Sequence, residues 1–198
     1  MARKMQSPKK SRFKKESSLP IILILLAIAA VILFVNIKPN QEDEIYTSTQ
    51  LEQAVNSSTL QVPSTTFRTT LENGKAEFSD EDANGYIMMS APYFSIETSE
   101  GYDTFAVMNF NTGGSGEFVA IALFHTLENS TVYANSFDLG DRVTVENIEK
   151  ISGNKDVYEI RVDYLDKEEN APLVAEPTLK KSVTLQVDTH KITTQPQQ

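Results

Sequence analysis

Apolar positions follow two patterns along this chain, one unbroken run near the start and a series of short runs after residue 66. Residues 19–35, LPIILILLAIAAVILFV, hold seventeen positions without a charge. As a helix, 19–37 extends about 28 Å, close to the ~30 Å hydrocarbon thickness of a bilayer. The run predicts a transmembrane helix. From Phe67 onward, short apolar stretches bounded by turn residues predict antiparallel β structure. In 157–165, Tyr158, Ile160, Val162 and Tyr164 alternate with Glu159, Arg161 and Asp163, which gives one buried and one wet face. Residues 182–188 repeat this with Val183, Leu185 and Val187, and 142–151 set Val143 and Val145 on one side. The runs TFAVMNF (104–110) and FVAIALF (118–124) are apolar on both faces and belong in the middle of the fold.

Turn chemistry orders these strands as a meander. Asn73-Gly74 tolerates the positive φ of a two-residue hairpin between 67–72 and 75–78. Residues 152–155, 111–116 and 128–130 supply the next connections, while Pro172 and Pro177 exclude a central strand and make 170–177 an edge loop before the last strand. The expected fold class is mainly β, with one N-terminal transmembrane helix and a single antiparallel β domain, a sandwich or open barrel of about seven to nine strands. Its expected parts are a basic cytoplasmic tail (1–18), the helix (19–37), a polar stalk (38–65), the β domain (66–190) and a disordered tail (191–198). One short helix is expected in the stalk, where Thr49-x-x-Glu52 has the form of a capping box and Leu51 and Val55 lie one turn apart.

Charge sets the orientation of the anchor. Seven of eighteen Lys+Arg but one of twenty-seven Asp+Glu precede Leu19, which leaves −15 on everything beyond. The basic flank faces the cytoplasm, so the domain lies outside a plasma membrane as a single-pass, signal-anchored protein. A cleaved leader is the alternative, but its apolar region is shorter, ~7–15 residues, and ends at small residues, whereas Val31 to Ile37 follow the alanine cluster here. The basic tail also suits anionic lipid head groups. An acidic exterior excludes nucleic acid as a partner, because binding to phosphates needs clustered Lys and Arg. No cysteine is present, so neither a lipidated cysteine nor a disulfide can hold the domain.

Candidate chemistry is sparse. Asp80-Glu81-Asp82-Ala83-Asn84-Gly85-Tyr86-Ile87 matches the start of a calcium loop, with Asp80, Asp82, Asn84 and Tyr86 at the alternate ligand positions. The twelfth position is Ala91 where such loops hold a bidentate Glu, and the flanks resemble strands, so the spacing favours a solvated acidic hairpin over a weak Ca2+ site. Gly113-Gly114-Ser115-Gly116-Glu117 departs from a nucleophile elbow at its fifth position and joins two strands, which makes it a glycine-rich turn. His125 and His190 are far apart, and without cysteine they show no metal-ligand spacing. Asp141-Arg142 at a strand entrance pins a corner or contacts a ligand. The remaining carboxylates single out no acid/base pair.

The order GGSGEF (113–118), LGDRVTVENI (139–148) and NAPLVAEPT (170–178) resembles a group of uncharacterised bacterial membrane-anchored or lipoprotein-like extracytoplasmic β domains. The resemblance spans roughly residues 67–187 and implies an envelope location, with no activity to transfer. The group often carries an Asp-rich D-x-N-G-D-G stretch before the first central strand and a lipidated cysteine. Here 98–103, TSEGYD, keeps part of that acidity, and the helix replaces the lipid.

Together these features predict a non-enzymatic binding or interaction domain at a bacterial cell envelope, with the lipid bilayer and an envelope protein or glycan as partners and no obligatory cofactor. Its contact regions would be the loops 80–85, 111–116 and 167–177. The alternatives are a calcium-stabilised envelope module and a hydrolase built on convergent carboxylates.

Overall fold

The computed structural model describes residues 46–79, 84–169, 171–172 and 174–193. The basic tail, the predicted span at 19–37, Asp80 and Asp82 lie outside these. Among the described residues no helix is long and apolar enough to cross a membrane.

The described chain forms one helix, α1 (Ser48–Val55), followed by β1 (Thr59–Gln61), β2 (Arg68–Thr70), β3 (Lys75–Ser79), β4 (Asn84–Glu97), β5 (Tyr102–Asn111), β6 (Phe118–Leu127), β7 (Ser130–Asp141), β8 (Thr144–Gly153), β9 (Val157–Asp166), β10 (Leu179–Asp188) and β11 (Lys191–Thr193). It is mainly β, and its antiparallel sheets curl as a half-barrel. Strands β3-β4-β5-β6-β7 form one meander, β8 to β11 form a second in the order β11-β10-β9-β8, and β1 pairs with β2. Eleven strands replace the expected seven to nine. The difference lies in β1, β2 and β11, three residues each, too short for an alternation to register.

Two apolar layers explain why the two central runs carry no polar face. Phe105, Val107, Val119, Ile121 and Leu123 pack against Ile148, Tyr158, Ile160, Val162, Leu185 and Val187 of the second sheet. The intervening residues Ala106, Met108, Ala120, Ala122 and Phe124 face the other way, onto Val55, Leu60, Val62 and Leu71. The expected central position of β5 and β6 is what the structure has. Strand β9 also alternates as expected, with Tyr158, Ile160 and Val162 buried.

Three boundaries differ from expectation. The stalk ends earlier, because Leu51, Val55, Leu60 and Val62 are buried, so 48–62 cover one face of the five-stranded sheet. The helix is capped by Thr47 and Gln50 rather than Thr49 and Glu52: Gln50 N–H donates to Thr47 Oγ1 at 3.3 Å, and Thr47 N–H to Gln50 Oε1 at 2.9 Å. At the far end the domain continues past 190, since 191–193 form β11. Asn73 and Gly74 take the positive φ expected of them, 54° and 79°. The hairpin around them is reduced to one bridge, Glu72 to Lys75, because β2 pairs with β1 and β3 with β4.

Candidate functional site

Strand β5 enters the sheet on a charge. Asp103 is fully buried at a position that register sets directly opposite His125 on β6. Burying a carboxylate is costly unless its oxygens accept hydrogen bonds, and here several donors converge on it. His125 Nδ1 lies 2.8 Å and His190 Nδ1 2.9 Å from Oδ1, His190 Nδ1 is also 3.1 Å from Oδ2, and the Tyr158 hydroxyl donates to Oδ2 at 2.7 Å. With Asp103 as the acceptor from both rings, the geometry assigns each imidazole a proton on Nδ1. Burial and the facing carboxylate push the Tyr158 phenol far above the usual tyrosine range. Its ring is held edge-on against Phe105 at 6.3 Å.

Sharing one carboxylate brings the two imidazoles face to face. Their centroids are 3.7 Å apart with 29° between planes. With Nδ1 directed at Asp103, each Nε2 occupies the far half of its ring. His125 Nε2 is buried and has no hydrogen-bond partner among the described residues. His190 Nε2 lies 3.9 Å from Glu100 Oε2, and one ligand-capable atom from each of Glu100, His125 and His190 lies within 4.8 Å of the others.

The elements that hold these groups are short and tightly bonded. His190 follows Thr189 in the two-residue turn between β10 and β11, both at positive φ, 59° and 49°, as a type I′ turn requires and as non-glycine residues disfavour. Asn135 of β7 fixes that turn from outside: its side chain donates to Ile192 O at 2.8 Å and accepts from Ile192 N–H at 3.0 Å. Glu100 belongs to the 98–101 turn, closed by Thr98 N–H to Gly101 O at 2.8 Å. At Gly101 an added Cβ would lie 2.1 Å from Thr126 O, beside His125, so only glycine lets the turn approach β6. Asp156 joins the turns. It accepts from the Ser99 hydroxyl and from Ser99 N–H, the latter at 3.2 Å, and its carbonyl accepts from Thr189 N–H at 3.3 Å. The Ser99 hydrogen bonds hold its carboxyl below the usual range.

Of the residues singled out from sequence, Asn84, Tyr86, Asp141 and Arg142 lie elsewhere. Asn84 and Tyr86 are in β4, and Asp80 and Asp82 are outside the described residues. Gly85 serves a close approach of strands, since a Cβ there would lie 1.8 Å from Asn111 O. Asp141 and Arg142 pin the corner at the opposite end of β5 and β6. Arg142 Nη1 donates to Asp141 Oδ2 at 2.8 Å, its guanidinium also bonds Ser115 O, and Asp141 Oδ1 accepts from Glu117 N–H at 3.0 Å. The carboxyls of Asp156 and Asp166 are both held low, Asp166 by Lys181. That is the reverse of what a general acid needs. Two surface grooves, one lined by Ser58, Arg68 and Thr131 and one by Val62, Tyr133 and Asn135, contain none of the Asp103 groups.

The sequence treats His125 and His190 as unrelated, and the structure stacks them. Half of this was available from the chain: a hairpin centred on 111–117 puts Asp103 against His125 by counting alone. Comparison of the chain with protein-family models, with curated proteins and with solved structures finds no match.

Proposed function

We propose that this chain is a single-pass envelope protein whose β domain binds a ligand outside the membrane through the paired imidazoles on Asp103. The observation that carries the reading is the shared carboxylate, which takes Nδ1 of both rings and leaves two Nε2 lone pairs, one of them buried and without a partner among the described residues. Binding accounts for this better than catalysis does. The hydroxyl in the cluster belongs to Tyr158, whose proton is held by burial and by Asp103, and it makes a poor nucleophile or proton donor. The basic flank before residue 19 and the acidic remainder support an outside location. An envelope protein or glycan remains the partner class for the surrounding loops.

Histidine 15N NMR on the full chain in detergent micelles tests the site. Both rings are expected to carry the proton on Nδ1 and to be bare at Nε2 at pH 7.5; a proton on either Nε2 overturns the assignment. Protease added to intact cells is expected to remove the β domain and spare an N-terminal tag. The opposite pattern overturns the location.

A further inference from the structure

We infer that the Asp103 site binds one divalent transition-metal ion, held by His125 Nε2, His190 Nε2 and the Glu100 carboxylate. This rests on the proposed binding role of the two Nε2 atoms and names the ligand class.

Metal-binding histidines characteristically donate their second ring N–H to a carboxylate, which fixes the tautomer and makes the ligating nitrogen more basic. Asp103 does this for both rings at once. The buried His125 Nε2 then has its lone pair available to an ion. A tetrahedral centre with bonds of about 2.0–2.2 Å needs ligand atoms roughly 3.3–3.5 Å apart. One ligand-capable atom from each of the three groups lies within 4.8 Å of the others, with His190 Nε2 and Glu100 Oε2 at 3.9 Å, so binding needs the stacked rings to turn until their Nε2 lone pairs converge and the carboxylate to move by about 1 Å or less. Glu100 can supply that movement, because its side chain is 69% exposed while its turn is tied to the His190 turn through Ser99 and Asp156. Positive φ at Thr189 and His190 is the kind of backbone cost retained where a side chain must be aimed.

Donor chemistry selects the metal class. Two imidazole nitrogens, one carboxylate and no sulfur suit Zn(II), Co(II), Ni(II) or Cu(II). Such a set disfavours Ca(II) and Mg(II), which take oxygen. Three protein ligands leave a fourth position open, the arrangement of a site that receives a further ligand.

The test uses the full chain in detergent, stripped with chelator and titrated with Zn(II) by calorimetry and with Co(II) by visible absorption. One ion per chain and the intense ligand-field bands of tetrahedral Co(II) are expected. His190→Ala, at a half-buried turn position, is expected to weaken Zn(II) at least about 100-fold, and Glu100→Gln about tenfold. Absence of Zn(II) binding, or binding unchanged in His190→Ala, overturns the metal site, and unchanged affinity in Glu100→Gln removes the carboxylate from it. If NMR finds both Nδ1 protonated while Zn(II) does not bind, the metal inference fails and the binding role stands. A proton on Nε2 ends both.

Discussion

The hairpin of β5 and β6 ends at each extremity on an aspartate with a potentially cationic partner, and the two ends are built differently. At the 111–118 end, Asp141 and Arg142 are partly exposed, they bond to each other and to the backbone of Ser115 and Glu117, and the result fixes a corner. At the 103–125 end the carboxylate is wholly buried, three side chains spend donors on it, and a nitrogen beside it is left without a partner among the described residues. A cluster closed on itself fixes structure, whereas the unpartnered buried nitrogen is the feature on which the proposed binding role rests. Burial sharpens the contrast, because a partly exposed ion pair contributes little and an unpaired buried charge costs a great deal.

The largest test of this contrast is Asp103→Ala. Removing the common acceptor strands Tyr158 and both imidazoles, and urea denaturation should show a loss of about 3–5 kcal/mol. A loss below about 1 kcal/mol would place this end in the same class as the Arg142 corner.

Tyr158→Phe comes next, with an expected loss of about 1.5–3 kcal/mol for a buried hydrogen bond to a charged acceptor. It also changes the alkaline limb. Because the folded state raises the Tyr158 pKa, its contribution is complete below the ordinary value of about 10 and declines above it, where the unfolded chain releases a proton that the folded chain keeps. Wild-type stability should therefore fall above pH 10, with Tyr158 accounting for up to about 1.4 kcal/mol per pH unit. Tyr93 and Tyr133, also raised by burial, remain in the variant, so Tyr158→Phe should flatten this limb without abolishing it.

Smaller effects come from backbone strain. Thr189→Gly relieves a β-branched residue at φ 49° and should gain about 0.5–1 kcal/mol in thermal melts. A loss would mean that the Thr189 side chain holds the turn. Smallest of all is Arg142→Gly at the other end, where φ is 54°: relief of strain and loss of a partly exposed ion pair should cancel to within about 0.5 kcal/mol. A loss above about 2 kcal/mol would show that the corner is not the weaker of the two ends.

The meander, the central place of β5 and β6 and the faces of β9 and β10 were legible because each is a local alternation or a local turn. The helix at 48–55 was legible through Leu51 and Val55, but its cap lay two residues from the expected one, since Thr47-x-x-Gln50 and Thr49-x-x-Glu52 have the same form and only packing decides between them. The Asp141-Arg142 corner could be read from neighbours in sequence. The site could not. His190 reaches Asp103 across 87 residues, through the packing of one sheet on the other and a type I′ turn that lacks the usual asparagine or glycine. Charge in an otherwise apolar strand was the available signal, and Asp103 carried it.

Asn135 has a consequence for solubility. Strand β11 lies at the rim of its sheet, where free N–H and C=O groups invite another strand to pair. Ile192 directs both of its backbone groups to the Asn135 amide, which imitates the backbone of a neighbouring strand. A single side chain thereby occupies the Ile192 backbone groups that another strand would need for pairing. Asn135→Ala should expose an adhesive edge as well as loosen a turn.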